Sequence, residues 1–284
     1  MKDKTPAQKI NFNGKLLPAH EPIVVAQNRG LRYGDGVFET MKLVDGRLLH
    51  AGLHFERLFH GLELLGFELS RFFTAENLSR QATELAGKNG HSTAARIRLT
   101  VIRGDGGLYD AVSQAPHWII ETMPAPAGIS ELNSNGLVLG VFEAARKTVD
   151  TFSALKTNNF LPYLTAALHA KKQHWNDALV LNAWGRVADS TIANLWWQEG
   201  EQLFTPPLSE GPVAGTVRRR LLERLPQFGW TTNELPADPE RLMNADAMFL
   251  TNAMFGLRWV GDFNGKQFGP GAAAQIFQLL QTTI

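Results

Sequence analysis

A run of six residues, Met123-Pro124-Ala125-Pro126-Ala127-Gly128, interrupts the chain directly after the strand-like His117-Trp118-Ile119-Ile120-Glu121-Thr122. Proline has a fixed φ and no amide hydrogen, so such a segment makes a poor helix and a poor central strand. It predicts a linker at 123–128, between a smaller N-terminal domain, 1–122, and a larger C-terminal one, 129–284. The chain has 284 residues, enough for each part to bury a core.

The periodicities on either side are mixed. In the first part, Pro22–Val25 and Val37–Lys42 read as strands, with a turn-rich segment from Asn28 to Gly36 between them and a hairpin turn at Asp45-Gly46. Phe55, Leu58, Phe59, Leu62 and Leu65 recur at helical spacing, and a second helix is expected over Ala75–Lys88. Alternation over 95–102 predicts a half-buried strand. In the second part, strands are expected at 136–141, at 195–197 and at 247–251, with a hairpin of 177–181 and 186–188. Helices are expected after Lys156, with Phe160, Leu161, Leu164 and Leu168 on one face, after Gly215, and over Gln275–Thr282. Strands and helices without strict βαβ alternation indicate two α+β domains.

Composition excludes several classes. Net charge is +1, which gives no general attraction to nucleic acid or to an anionic membrane. Three consecutive arginines, Arg218 to Arg220, are too few for a nucleic-acid groove and read as a solvated helix face. There is no cysteine, which removes disulfides, thiolate nucleophiles and thiolate metal sites. The polar Met1–Pro6 stretch has no apolar signal core, and no run approaches the roughly 20 apolar residues of a membrane span. A soluble cytoplasmic protein is expected. The histidines show no metal spacing and no companion carboxylate cluster, so no metal site is expected. The tryptophans, Trp196-Trp197 among them, read as core and interface aromatics.

Several residues could carry chemistry. Lys156 lies in a mostly uncharged stretch at the start of an apolar helix. Partial desolvation there would lower its pKa and free the amine for carbonyl chemistry, although a surface lysine is the commoner case. Asp189, in Val187–Asn194, is either a turn residue or a carboxylate facing a cofactor cation. The Gly215-Thr216-Val217 segment opens a helix whose free amides attract phosphate. Arg57, beside the apolar face of its helix, offers a fork of donors suited to phosphate. Thr251-Asn252-Ala253 ends a strand and could add further donors.

Taken together, these segments resemble the class IV aminotransferases, the fold type IV enzymes of pyridoxal phosphate (PLP), whose two-domain α+β fold is D-amino-acid aminotransferase-like. The group includes branched-chain aminotransferases, D-amino-acid transaminases and 4-amino-4-deoxychorismate lyases. Arg29 through Glu39 resembles the N-terminal signature and Leu53 through Leu58 the phosphate-arginine helix. Leu155 through Asn159 resembles the Schiff-base lysine segment and Val187 through Trp196 the pyridinium-acid segment. Weaker matches lie at Gly215–Arg218 and Thr251–Met254. The order and spacing of these pieces cover nearly the whole chain.

The resemblance implies that Lys156 holds PLP as a Schiff base and shuttles the proton. Arg57, the amides of Thr216 and Val217, and the Asn252-Ala253 loop would bind the phosphate. Asp189 would pair with the ring nitrogen. Tyr33, Phe38 and Arg98 would meet a small-molecule amine substrate, Arg98 through its carboxylate, and a homodimer is implied. The chain departs from the pattern in three places. Asp189 stands where Glu is usual, which shortens the arm by about 1.5 Å. Val217 and Ala253 stand where threonines are common in transaminases. D-amino-acid transaminases carry an Arg-x-His trap where this chain has Leu108-Tyr109-Asp110. The missing threonines and trap, with a run over Ala245–Met254 that resembles the deoxychorismate lyases, lean toward the lyase, which releases pyruvate, with a branched-chain type transaminase as the alternative; the Asp189 change motivates a catalytically impaired PLP-binding relative as a further one.

Overall fold

The structure, a computed structural model, describes residues 8–110 and 112–282. The Met1–Pro6 stretch and its expected lack of a signal core lie outside the described residues. The chain divides into two compact units. The first runs to Ala127 and also takes in Lys156–Asn159; the second holds Gly128–Leu155 and the chain from Phe160 onward.

The elements of the first unit are β1 (Lys9–Phe12), β2 (Lys15–Pro18), α1 (Arg29–Tyr33), β3 (Gly36–Val44), β4 (Arg47–Leu48), α2 (Ala51–Leu64), α3 (Ala75–Lys88), β5 (Ala94–Arg103) and β6 (Pro116–Pro124). The strands form one antiparallel sheet in the order β2-β1-β6-β5-β3-β4. Successive side chains of a strand point to opposite faces, and the sheet uses this to separate two functions. Val37, Met41 and Leu43 of β3 join Ile97, Leu99 and Val101 of β5 in a core with Phe55, Leu58 and Leu62 of α2 and Leu78 and Leu85 of α3. Phe38 and Lys42 of β3 and Arg96 and Arg98 of β5, which alternate with them, belong to the other face.

Two expectations change here. Pro22–Val25 is not a strand: Val24 and Val25 are exposed, and the carbonyl of Val25 accepts from the amide of Asn28 in a turn. Strands β1 and β2 instead form a hairpin closed by Asn13-Gly14, both at positive φ, which is the favoured geometry of a two-residue hairpin. The β6 strand also continues through Met123 and Pro124, paired with Arg96 and Ala95.

The second unit contains β7 (Leu137–Lys147), α4 (Leu161–Lys172), β8 (Asp177–Asn182), β9 (Val187–Ser190), β10 (Asn194–Glu199), β11 (Gln202–Thr205), α5 (Thr216–Arg224), β12 (Thr231–Glu234), α6 (Pro239–Leu242), β13 (Ala247–Asn252), β14 (Gly256–Phe263), β15 (Lys266–Gln267) and α7 (Ala273–Thr282). Its mixed sheet runs β12-β11-β10-β13-β14-β7-β8-β9, with β15 beside β14. The core lies on both faces of this sheet, so β8, β9 and most of β10 are buried along their length.

Trp196 and Trp197 are fully buried, on opposite faces of β10, and are core residues rather than interface candidates. Arg218 is also buried; it donates to the Pro206 carbonyl and pairs with Glu234, so the arginine run is not a solvated face throughout. The expected apolar face of α4 turns outward: Leu161, Leu164 and Leu168 are 68%, 58% and 59% exposed, and Tyr163, Ala166 and Ala170 are the residues packed inward.

Candidate active site

The lysine segment is built into the first unit by backbone pairing. Phe38 donates its amide to the Lys156 carbonyl, Asn158 donates to the Gly36 carbonyl, and Val37 bridges Thr157. The segment thereby adds to the edge of β3 that does not face β5. Gly36 makes this approach possible: a β-carbon there would lie 2.1 Å from the Val101 carbonyl oxygen and 2.8 Å from the Asn158 side chain. The Lys156 ammonium lies 4.5 Å from the centroid of the Phe38 ring, and the Arg98 guanidinium lies 4.0 Å from the same centroid. Cations are attracted to an aromatic face at such distances. Two cations beside one buried ring make a place for an anionic group. Burial also lowers the pKa of Arg98, with Glu121 opposing that shift and Arg96 adding to it.

Arg57 lies on the helix side of the same sheet. Its Nε and Nη2 donate to the two oxygens of Glu39, and His54 Nδ1 hydrogen-bonds Glu39 Oε2 at 2.7 Å. Glu39 is fully buried. Burial raises the pKa of this carboxyl, but the charge of Arg57 and the contacts with His54 outweigh it and bring the value to about 2. Glu39 and His54 therefore fix the arginine in orientation. Tyr33 is 40% exposed, with its ring 5.3 Å from the Arg29 guanidinium.

The second unit builds its site around Asp189. The ladder between β8 and β9 carries a bulge: Val180 faces Asp189 while Leu181 faces Val187, which leaves Ala188 as the extra residue. A bulge re-aims the side chains next to it. Asp189 is buried and accepts from Asn194 Nδ2 at 2.7 Å through Oδ1, and from Tyr163 Oη and the Val213 amide, both at 2.8 Å, through Oδ2. Lys147 Nζ, at the end of β7, is 3.7 Å from Oδ2. Burial raises the pKa of Asp189, and Lys147 and the three donors oppose it.

Asn194 also donates to the Val213 carbonyl, so one amide ties the acid to the loop that opens α5. Gly215 caps α5 without a side chain. A β-carbon at Gly215 would fall 1.8 Å from Asn194 Oδ1. Thr216 and Val217 follow as the first helical residues, where amides have no partner within the helix. At the end of β13, Asn252 spends its side-chain oxygen on the amides of Met254 and Phe255. It thus shapes the turn that holds Ala253. The neighbouring Thr251 hydroxyl is buried with no hydrogen-bond partner.

The family model for amino-transferase class IV matches residues 36–262. The chain belongs to that family. A class IV relative from Vibrio harveyi, an aminodeoxychorismate lyase, is 29% identical over 84% of this chain and 87% of its own length. A branched-chain-amino-acid aminotransferase from Salmonella typhimurium is 25% identical over 97% of this chain and 91% of its own. The branched-chain aminotransferase of Thermoproteus uzoniensis, solved with norvaline, superposes with a TM-score of 0.87 at 23% identity, covering 98% of this chain and 94% of that one. The two-domain α+β fold of the class IV enzymes is therefore the fold of this chain.

The sequence gives no role to four residues that build these two arrangements, Glu39 and His54 in the first unit and Asn194 and Lys147 in the second. Glu39 lies within the segment resembling the N-terminal signature and Asn194 within the acid segment. His54 is buried against Glu39, whereas His60 is exposed; no cluster able to hold a metal occurs among the described residues. Lys147 had no sequence signal, because a lysine is normally solvated and only the fold brings it beside Asp189.

Proposed function

We propose that this class IV enzyme binds PLP and acts as a 4-amino-4-deoxychorismate lyase. The observation that carries the cofactor assignment is the buried Asp189, whose two oxygens are oriented by three donors. The residues present fit such a cofactor. Asp189 is a buried carboxylate for a protonated ring nitrogen, the start of α5 offers amides to a phosphate, and the Thr251 hydroxyl is a buried group without a protein partner.

Bound PLP supplies an electron sink for the charge left when a proton leaves the substrate carbon. Lys156 holds the cofactor and then carries that proton on Nζ. Arg98, over the same Phe38 ring, adds positive charge near Lys156 and receives the substrate carboxylate, and Tyr33 and Phe38 line the pocket. Arg57, oriented by Glu39, meets the phosphate together with the Thr216 and Val217 amides and the Asn252-Ala253 turn. The lyase reading is favoured by Val217 and Ala253 in place of threonines and by the Vibrio harveyi relative. The similarity to branched-chain aminotransferases supports the second reading, a transaminase.

One assay separates the two. Purified protein incubated with aminodeoxychorismate should release pyruvate and 4-aminobenzoate. Keto-acid formation from a branched-chain amino donor, with no pyruvate, would establish the transaminase. Borohydride should trap the cofactor on Lys156, and Lys156→Ala should abolish both trapping and turnover; a Lys156→Ala protein that still turns over substrate would overturn the assignment. We further propose a cytoplasmic homodimer, for which light scattering should give twice the chain mass.

A further inference from the structure

Lys147 is a buried lysine without an evident structural duty. It is 8% exposed, its ammonium has no hydrogen-bond partner, and it lies 5.2 Å from the centroid of the Tyr163 ring. A buried polar group is normally hydrogen-bonded, and a buried unpaired charge is expensive. The anion nearest to it is Asp189, at 3.7 Å, a length that gives charge attraction without a hydrogen bond.

The contacts of Asp189 are unequal. Oδ2 receives Tyr163 Oη, the Val213 amide and the field of Lys147, while Oδ1 takes the hydrogen bond of Asn194. An ionised carboxylate accepts about four hydrogen bonds, so Oδ1 is the oxygen with room for another donor. Burial works against the charge this arrangement needs: it favours the neutral acid at Asp189 and the neutral amine at Lys147. Each charge is therefore sustained by the other. The other titratable groups at the pair are Tyr163, from α4, and Asp150, in the loop after β7, which also favours the charged lysine.

We propose that Lys147 is a positioning residue that keeps Asp189 charged, with Oδ1 turned to a protonated ring nitrogen. Lys147 thereby offsets the loss of acidity that deep burial of a short aspartate arm entails. This rests on the reading above that Asp189 meets the ring nitrogen of PLP.

The test compares equilibrium binding of PLP with that of its 1-deaza analogue, in which carbon replaces the ring nitrogen, to the apoprotein. The wild type should prefer PLP. In Lys147→Met that preference should fall by about tenfold, the equivalent of one pKa unit at Asp189, while affinity for the deaza analogue stays constant. Lys147→Arg should keep the preference. The preference of the wild type should vanish on acidification, and that of Lys147→Met should vanish at a higher pH.

A wild type that binds both compounds equally would sink the Asp189 reading itself. A wild-type preference that survives unchanged in Lys147→Met, or equal weakening of both compounds, would overturn the role of Lys147 alone. Should Lys147→Met not fold, the Lys147→Met/Asp189→Asn double variant removes both charges. Its recovery of a cooperative melt supports the pairing, and its failure to fold overturns it.

Discussion

Glu39 shows how much one buried carboxylate can carry. It meets Arg57 through both oxygens and His54 through one. Its pKa of about 2 lies below its unfolded value near 4.5. The charged form is thus favoured by folding, and its contribution is fully present above about pH 4.5. It is lost as the pH falls toward 2, because the folded protein must then take up the proton. The difference corresponds to about 3 kcal/mol. Urea titrations at pH 7 and pH 3 should show Glu39→Gln less stable than wild type by about 3 kcal/mol at the higher pH, with roughly half of that gap closed at the lower. A constant gap would mean that the residue acts through packing. The same variant should weaken cofactor binding, because it releases Arg57 from its orientation. The residue types at positions 57, 156 and 189 suggest a chemistry from the sequence alone. The residues packed against Arg57 and Asp189 do not, since Glu39 and Lys147 derive their meaning from side chains distant along the chain.

Local patterns placed most elements. Helix α3 begins and ends where its periodicity predicted, and its Thr74 cap accepts from the Asn77 amide. Strands β5 and β8 were visible as alternating and continuous apolar runs. The misplacements have physical causes. Pro22–Val25 has β-branched residues but no partner strand, and β-propensity reports the fit to a sheet surface more than a backbone preference. Strand β14 was missed because a bulge between Val260 and Asp262 breaks its alternation. The outward Leu161, Leu164 and Leu168 show that helical spacing identifies a stripe without saying where it points. At this scale the loop opening α5 is the most constrained piece. Gly215→Ala would drive a methyl into Asn194. Thermal denaturation should show a loss of about 1–3 kcal/mol, the usual cost of forcing extra volume into a packed site. Cofactor affinity should fall in step, because Asn194 also holds Asp189.

Across the whole molecule, each unit has its own apolar core, and neither depends on a covalent crosslink, since the chain has no cysteine. Melting curves should therefore coincide with and without reductant; a shift would require a cause outside the chain's covalent structure. The first unit is nevertheless not one continuous stretch, because Lys156–Asn159 completes it. A fragment ending at Ala127 should exchange the Phe38 amide hydrogen faster than the full chain does, having lost its acceptor at Lys156. During synthesis at roughly 5–20 residues per second, seconds separate the emergence of Ala127 from that of Asn159. Through that interval the nascent sheet would present the Gly36–Phe38 edge of β3 without its partner, and a ribosome stalled in this window would hold a protein that had built the seat for Lys156 before making the lysine.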